Sequence, residues 1–217
     1  MKNVAVILSG SGVFDGTEIH EAVLTLLAIE QQGASYTCFA PDVEQMHVVN
    51  HLTGEVDGAS SRNVLVESAR IARGNVKPLT ECDPEQFDAL VLPGGFGAAK
   101  NLCNFATNGT HSTVNDEVFT LCRQFAALRK PAAYACIAPV IAAHVYGDGV
   151  HLTIGNDKET ASAINEIGAN HVDCAVDDIV IDNEHKVVTT PAYMLAESIV
   201  DAQKGLSKMV QVVLSMK

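Results

Sequence analysis

Short apolar runs that each stop at a turn-forming segment constrain this chain more than any other feature. Val4-Ala5-Val6-Ile7-Leu8 ends at Ser9-Gly10-Ser11-Gly12, and Ala89-Leu90-Val91-Leu92 ends at Pro93-Gly94-Gly95. Tyr36 to Ala40 stops at Pro41-Asp42, and Ala132 to Ala135 stops at Cys136. Runs that are apolar at successive positions, instead of alternating, suit strands buried on both faces of a parallel sheet. Between them the period changes. Ile19, Ala22, Val23, Leu26 and Leu27 recur at helical spacing ahead of Gly33, a helix-ending glycine. Val64, Leu65, Ala69 and Ile71 predict a second helix ending before Gly74, and further helices are expected over Val114 to Leu128, from Ile137 onward, and over Met194 to Leu214. Ile179 to Ile181 and Val187 to Thr189 read as a late strand pair, and Gly54 to Arg62 as the most flexible excursion.

Parallel strands require crossover connections, so this alternation predicts an α/β, flavodoxin-like three-layer sandwich with a mostly parallel, doubly wound sheet. One domain over residues 1–217 is expected. Reactive groups in such sheets collect beyond the carboxyl ends of the strands. Ser9 to Gly16, Pro93 to Gly97 and Cys136 to Pro139 are therefore expected to meet there.

Charge excludes some functions. A formal net charge of −12 opposes binding to phosphate backbones or anionic membranes, so neither nucleic acid nor membrane is an expected partner. No run approaches the roughly 20 apolar residues of a spanning helix, and Met1-Lys2-Asn3 leads into a strand without a signal pattern, which points to the cytoplasm. The six cysteines lack a Cys-x-x-Cys pair and read as free thiols. His171 and Cys174 have no second pair to complete a metal site and read as a solvated loop. Gly10-x-Gly12 lacks the third glycine of a dinucleotide loop, with Asp15 in its place, so no nicotinamide site and no other cofactor or metal is expected.

Cys136 sits between a short strand and an Ala-rich helix, with Pro139 close behind, as in a nucleophile elbow. A helix N-terminus aimed at sulfur favours the thiolate and lowers its pKa. Backbone N–H groups of Ile137 and of Gly95, in Pro93-Gly94-Gly95-Phe96-Gly97, are candidate oxyanion donors. The alternative is that Cys136 packs the core as an inert small residue.

These residues resemble the PfpI and Parkinson-associated deglycase superfamily, a branch of the class I glutamine amidotransferase-like fold, over nearly the whole chain. More narrowly, Leu8 to Glu21 and Thr189-Thr190-Pro191-Ala192-Tyr193-Met194 are similar to the ElbB group of enhancing lycopene biosynthesis proteins. The resemblance implies that Cys136 is the reactive cysteine and that Glu18 is the carboxyl facing it. His20 is a possible site-lining residue, and Gly94, Gly95 and Ile137 supply the oxyanion cradle. It also implies a homodimer and a cofactor-independent glyoxalase acting on a small dicarbonyl, glyoxal or methylglyoxal, with deglycase activity besides. Two features depart from the pattern: Ile137 follows the cysteine where many relatives have His, and Thr189 to Met194 carries no late His. His144 lies eight residues past Cys136 and reads as structural. The missing histidine leaves a second expectation, a cysteine redox sensor or stress-linked binding protein without turnover.

Overall fold

The computed structural model describes residues 1–216. Seven strands form one sheet: β1 Asn3–Ile7, β2 Ser35–Ala40, β3 Val76–Pro78, β4 Ala89–Leu92, β5 Ala132–Ala135, β8 Val180–Asp182 and β9 Val187–Thr190. Their order is β3-β2-β1-β4-β5-β9-β8, all parallel except the antiparallel pair β8–β9. A small second sheet pairs β6 His151–Leu152 with β7 Asn170–His171.

Alternate residues of each central strand feed opposite faces. Val4, Val6, Val91, Ala133 and Val188 join one core with helices α1 (Ile19–Gln31) and α8 (Ile199–Ser215). Ala5, Ile7, Leu90, Leu92, Tyr134 and Val187 join the other, with α3 (Phe96–Lys100), α5 (Asp116–Ala127) and α6 (Pro139–Tyr146). This is the three-layer arrangement that uniformly apolar strands predict. The remaining helices are α2 (Val64–Ile71), α4 (Phe105–Asn108) and α7 (Lys158–Ile167).

Boundaries differ where capping decides them. The final helix begins at Ile199, because the Ser198 side chain accepts the Asp201 N–H, while Ala192–Met194 forms a separate 3-10 turn. Asn115 caps α5 in the same way, two residues later than apolar spacing implies. Residues 54–62 are exposed. His171 is not in a solvated loop: it belongs to β7, its side chain is 3% exposed, and its Nε2 accepts the Ile154 N–H. His144 bonds Ser112, in keeping with a structural part.

Candidate active site

The three turn segments converge at the carboxyl edge of β1, β4 and β5. Cys136 leaves β5 with φ of +59°, a left-handed conformation that costs a side-chain-bearing residue about 1–3 kcal/mol. Its N–H donates to the Thr190 carbonyl at 3.0 Å, so strand pairing with β9 reaches the cysteine itself. The chain turns through Ile137 and Ala138, and α6 starts at Pro139, whose absent N–H leaves no donor unsatisfied. The neighbouring segments are held in register by Asn101. Its side-chain amide donates to the carbonyls of Ser9 and Asp15, both at 2.9 Å, and its oxygen accepts the Met46 N–H at 3.0 Å.

Gly94 lies directly against the cysteine. A Cβ at this position would stand 2.4 Å from the Cys136 Cβ and 2.7 Å from Glu21 Oε2, distances no side chain tolerates. Its neighbour Gly95 has φ of +96° and caps α3.

The acid beside sulfur is Glu21, where the resemblance implies Glu18. Glu21 is fully buried. Its Oε2 accepts the Gly94 N–H at 2.9 Å, its Oε1 accepts the Tyr193 N–H at 3.0 Å, and the carboxyl also interacts with the Cys136 thiol. Glu18 instead caps α1, accepting the Glu21 N–H at 2.6 Å, with its side chain 12% exposed at the cavity wall. Because α1 starts at Ile19, positions 18 and 21 share a face one turn apart, and the inner one meets the sulfur. His20 points elsewhere: half exposed, it bonds the Tyr193 hydroxyl at 2.9 Å and is not part of the cavity lining.

Electrostatics reverse one expectation. Burial, then the Glu21 charge, push the Cys136 thiol well above its ordinary range, outweighing the Gly95 and Ile137 N–H groups that bond the sulfur. Burial and the neighbouring carboxyl therefore act against the thiolate that the helix position favours. Burial, reinforced by the Glu18 charge, raises Glu21 to about 7 against the lowering effect of the Tyr193 and Gly94 N–H bonds. An acid with that value is a carboxylate or a proton donor at neutral pH, whichever the chemistry requires. Neither the Gly95 nor the Ile137 N–H has a backbone hydrogen-bond partner among the described residues.

A cavity of about 320 Å³ opens in front of the sulfur. Its walls are Val13, Phe96, Ala99, Phe105, Ala106, Ile137 and Met194, with Glu18, Thr160 and Tyr193 as polar members. Phe105 and Thr160 carry no motif at sequence level, whereas Phe96 lies in the Pro93 to Gly97 turn and Tyr193 in the Thr189 to Met194 segment. Among the described residues no cluster of three His, Cys, Asp or Glu side chains is arranged to hold a metal, and no helix is long and apolar enough to cross a membrane.

No protein-family model matches the chain. The chain is 45% identical to the rat "ES1 protein homolog, mitochondrial" over 98% of its own length and 83% of the relative's. It is also 45% identical to the human "Glutamine amidotransferase-like class 1 domain-containing protein 3, mitochondrial", over 98% and 82%. Among solved structures, an isoprenoid biosynthesis protein with an amidotransferase-like domain from Ehrlichia chaffeensis superimposes with a TM-score of 0.93 at 36% identity, covering 100% of this chain and 99% of that one. A DJ-1 superfamily protein from Salmonella typhimurium shares the fold at a TM-score of 0.56 and 22% identity, over 99% and 88%. The mitochondrial names of the rat and human relatives overturn the cytoplasmic expectation. That expectation rested on the lack of an apolar span and of a signal pattern at residues 1–3, and neither decides the compartment.

Proposed function

The chain belongs to the glutamine amidotransferase-like class 1 family that includes the ES1 proteins, on the DJ-1/PfpI fold, and from that premise we propose a cofactor-independent glyoxalase that uses Cys136 as nucleophile. The observation that carries this reading is the buried pair of Glu21 and Cys136, of which Cys136 lines a cavity. The narrower likeness to the ElbB group is part of the proposal, supported by the naming of the Ehrlichia neighbour as an isoprenoid biosynthesis protein.

Each step suits the geometry. As sulfur attacks an aldehyde carbon of glyoxal, the Glu21 carboxylate takes the thiol proton, so a buried thiolate is never left to stand alone. The carbonyl electron pair moves onto oxygen, where the Gly95 and Ile137 N–H groups, turned toward the reacting centre, are donors for it. Protonation of that oxygen completes a hemithioacetal. Glu21, the carboxyl paired with the sulfur, then moves the hydrogen of that carbon as a proton to the adjacent carbonyl carbon, through an enediol. The product is a 2-hydroxy thioester, and water cleaves it to glycolate, or to lactate from methylglyoxal, restoring the thiol. A carboxyl held to about 7 serves in both directions, which supplies the proton carrier that the absent histidine left open.

The test is loss of glyoxal and methylglyoxal with identification of the 2-hydroxy acid, in buffers free of thiols and amines. Wild type should form product, whereas Cys136→Ser and Glu21→Gln should lose it. Equal product from wild type and Cys136→Ser refutes the proposal.

A further inference from the structure

The cavity in front of Cys136 is larger and less polar than glyoxal requires. At roughly 30 Å³ per water, about 320 Å³ holds about ten water-sized volumes. Glyoxal has four heavy atoms, and methylglyoxal five. Phe96, Phe105, Ala106 and Met194 are among the apolar walls available to the remainder. Pockets that bind small molecules bury most of the ligand against such apolar walls, with few polar groups to orient it.

The charge pattern is equally selective. The lining contains no Lys, Arg or His, and its one carboxyl is that of Glu18, with the buried Glu21 behind Cys136. Outside the lining, Lys100 lies 5.3 Å from the Phe96 ring centroid but donates to the Phe14 carbonyl at 2.8 Å, and His20 is engaged by the Tyr193 hydroxyl at 2.9 Å. A carboxylate entering this space would lose its water without gaining a cation, and would face Glu18 and the Glu21–Cys136 pair.

We infer that the substrate is a 2-oxoaldehyde whose second carbonyl carries an uncharged apolar substituent of roughly four to six heavy atoms, by the same volume estimate, and that carboxylate-bearing analogues are excluded. This inference rests on the reading of Cys136 as nucleophile and names the substrate class of that site. The covalent step is the same: the sulfur–carbon bond forms, the carbonyl electron pair goes to oxygen, and the thiol proton ends on that oxygen by way of Glu21. Phe96, Phe105, Ala106 and Met194 set how much chain is accepted.

Two measurements test it separately from turnover. In the first, Cys136→Ser, which has no sulfur to react, is titrated with the unreactive amides from acetamide to hexanamide and with hexanoate, read by thermal shift. Affinity should rise roughly fourfold per methylene, hexanoate should bind at least about tenfold more weakly than hexanamide, and Ala106→Phe added to the variant should abolish hexanamide binding. A flat series, equal binding of hexanoate, or hexanamide binding that survives Ala106→Phe overturns the inference. In the second, alkanals from ethanal to hexanal should protect wild-type Cys136 from iodoacetamide, monitored on its own peptide, with the same chain-length order. If the amides follow the predicted series but the alkanals, which can only add reversibly to the sulfur, do not protect Cys136, the nucleophile reading fails and the cavity assignment stands. If glyoxal is turned over and both series are flat, the substrate assignment fails alone.

Discussion

Glu21 stands between Cys136 and the two backbone N–H groups of Gly94 and Tyr193, so one carboxyl links three segments of the chain that meet only in the folded state. Its negative charge raises the thiol pKa, while its basicity is what the proposed attack requires. The substitution Glu21→Gln separates these effects. Glyoxal turnover should fall by about 10²-fold or more, the scale of general acid–base catalysis. Alkylation of Cys136 by iodoacetamide at pH 8 should become faster, because a neighbouring charge that opposes the thiolate is gone. Rates of both reactions moving in the same direction would rule out this division of roles.

Stability should carry the signature of the same carboxyl. The Glu21 pKa is raised from an ordinary 4.5 to about 7, so between those values the folded chain binds more protons than the unfolded chain. Its contribution is complete below about pH 4.5 and is lost as pH rises through about 7. The loss is on the order of 3 kcal/mol. Urea unfolding at pH 5 and pH 8 should show wild type losing more stability over this interval than Glu21→Gln, by that order. The activity limb should run the opposite way, with kcat/KM rising through about pH 7 as the carboxylate forms.

Gly94 is the closest backbone approach to the reactive sulfur. In Gly94→Ala the new Cβ would lie 2.4 Å from the Cys136 Cβ and 2.9 Å from its sulfur. Overpacking of this kind costs about 3 kcal/mol or more, read as a Tm fall of roughly 6 °C or more for a chain of this size. Survival with unchanged Tm and activity would mean that the loop is free to withdraw.

Asn101 supports the site from behind. Asn101→Ala deprives the Ser9 and Asp15 carbonyls and the Met46 N–H of a buried partner at once. A loss of about 2–4 kcal/mol is expected by urea denaturation, with reduced turnover because the loop that carries Gly16 to Glu18 loses its anchor. Asn101→Asp, which keeps the acceptor for Met46 but removes the amide donor, should be no better than Ala.

The elbow was legible because three local signals agree at Cys136: an apolar strand before it, an Ala-rich helix after it and Pro139 at the first helical position. The Gly94-Gly95 turn was legible for a similar reason. The choice between Glu18 and Glu21 was not, since both follow the first strand and lie on one helix face. What separates them is where the cap falls and how closely the Tyr193 segment approaches, and both are set by tertiary contact. The small β6–β7 sheet and α7 were missed on other grounds. Each of those strands has two residues, and α7 buries only Ile164, so neither period stands out from the surrounding polar sequence. Charge state depends on tertiary contact in the same way: helix position favours a thiolate, and burial of the sulfur beside a carboxyl acts against it.

The left-handed turn at Cys136 and its enclosure have a consequence for the life of the chain before it is folded. In an unfolded chain this cysteine is an ordinary thiol, open to any electrophile it meets. Completion of the sheet closes Gly94 and Glu21 over it, raises its pKa and leaves one apolar opening. Folding therefore lowers the general reactivity of this thiol while it reserves what remains for molecules of the right shape, and indiscriminate labelling of Cys136 becomes a gauge of how many molecules have not finished folding.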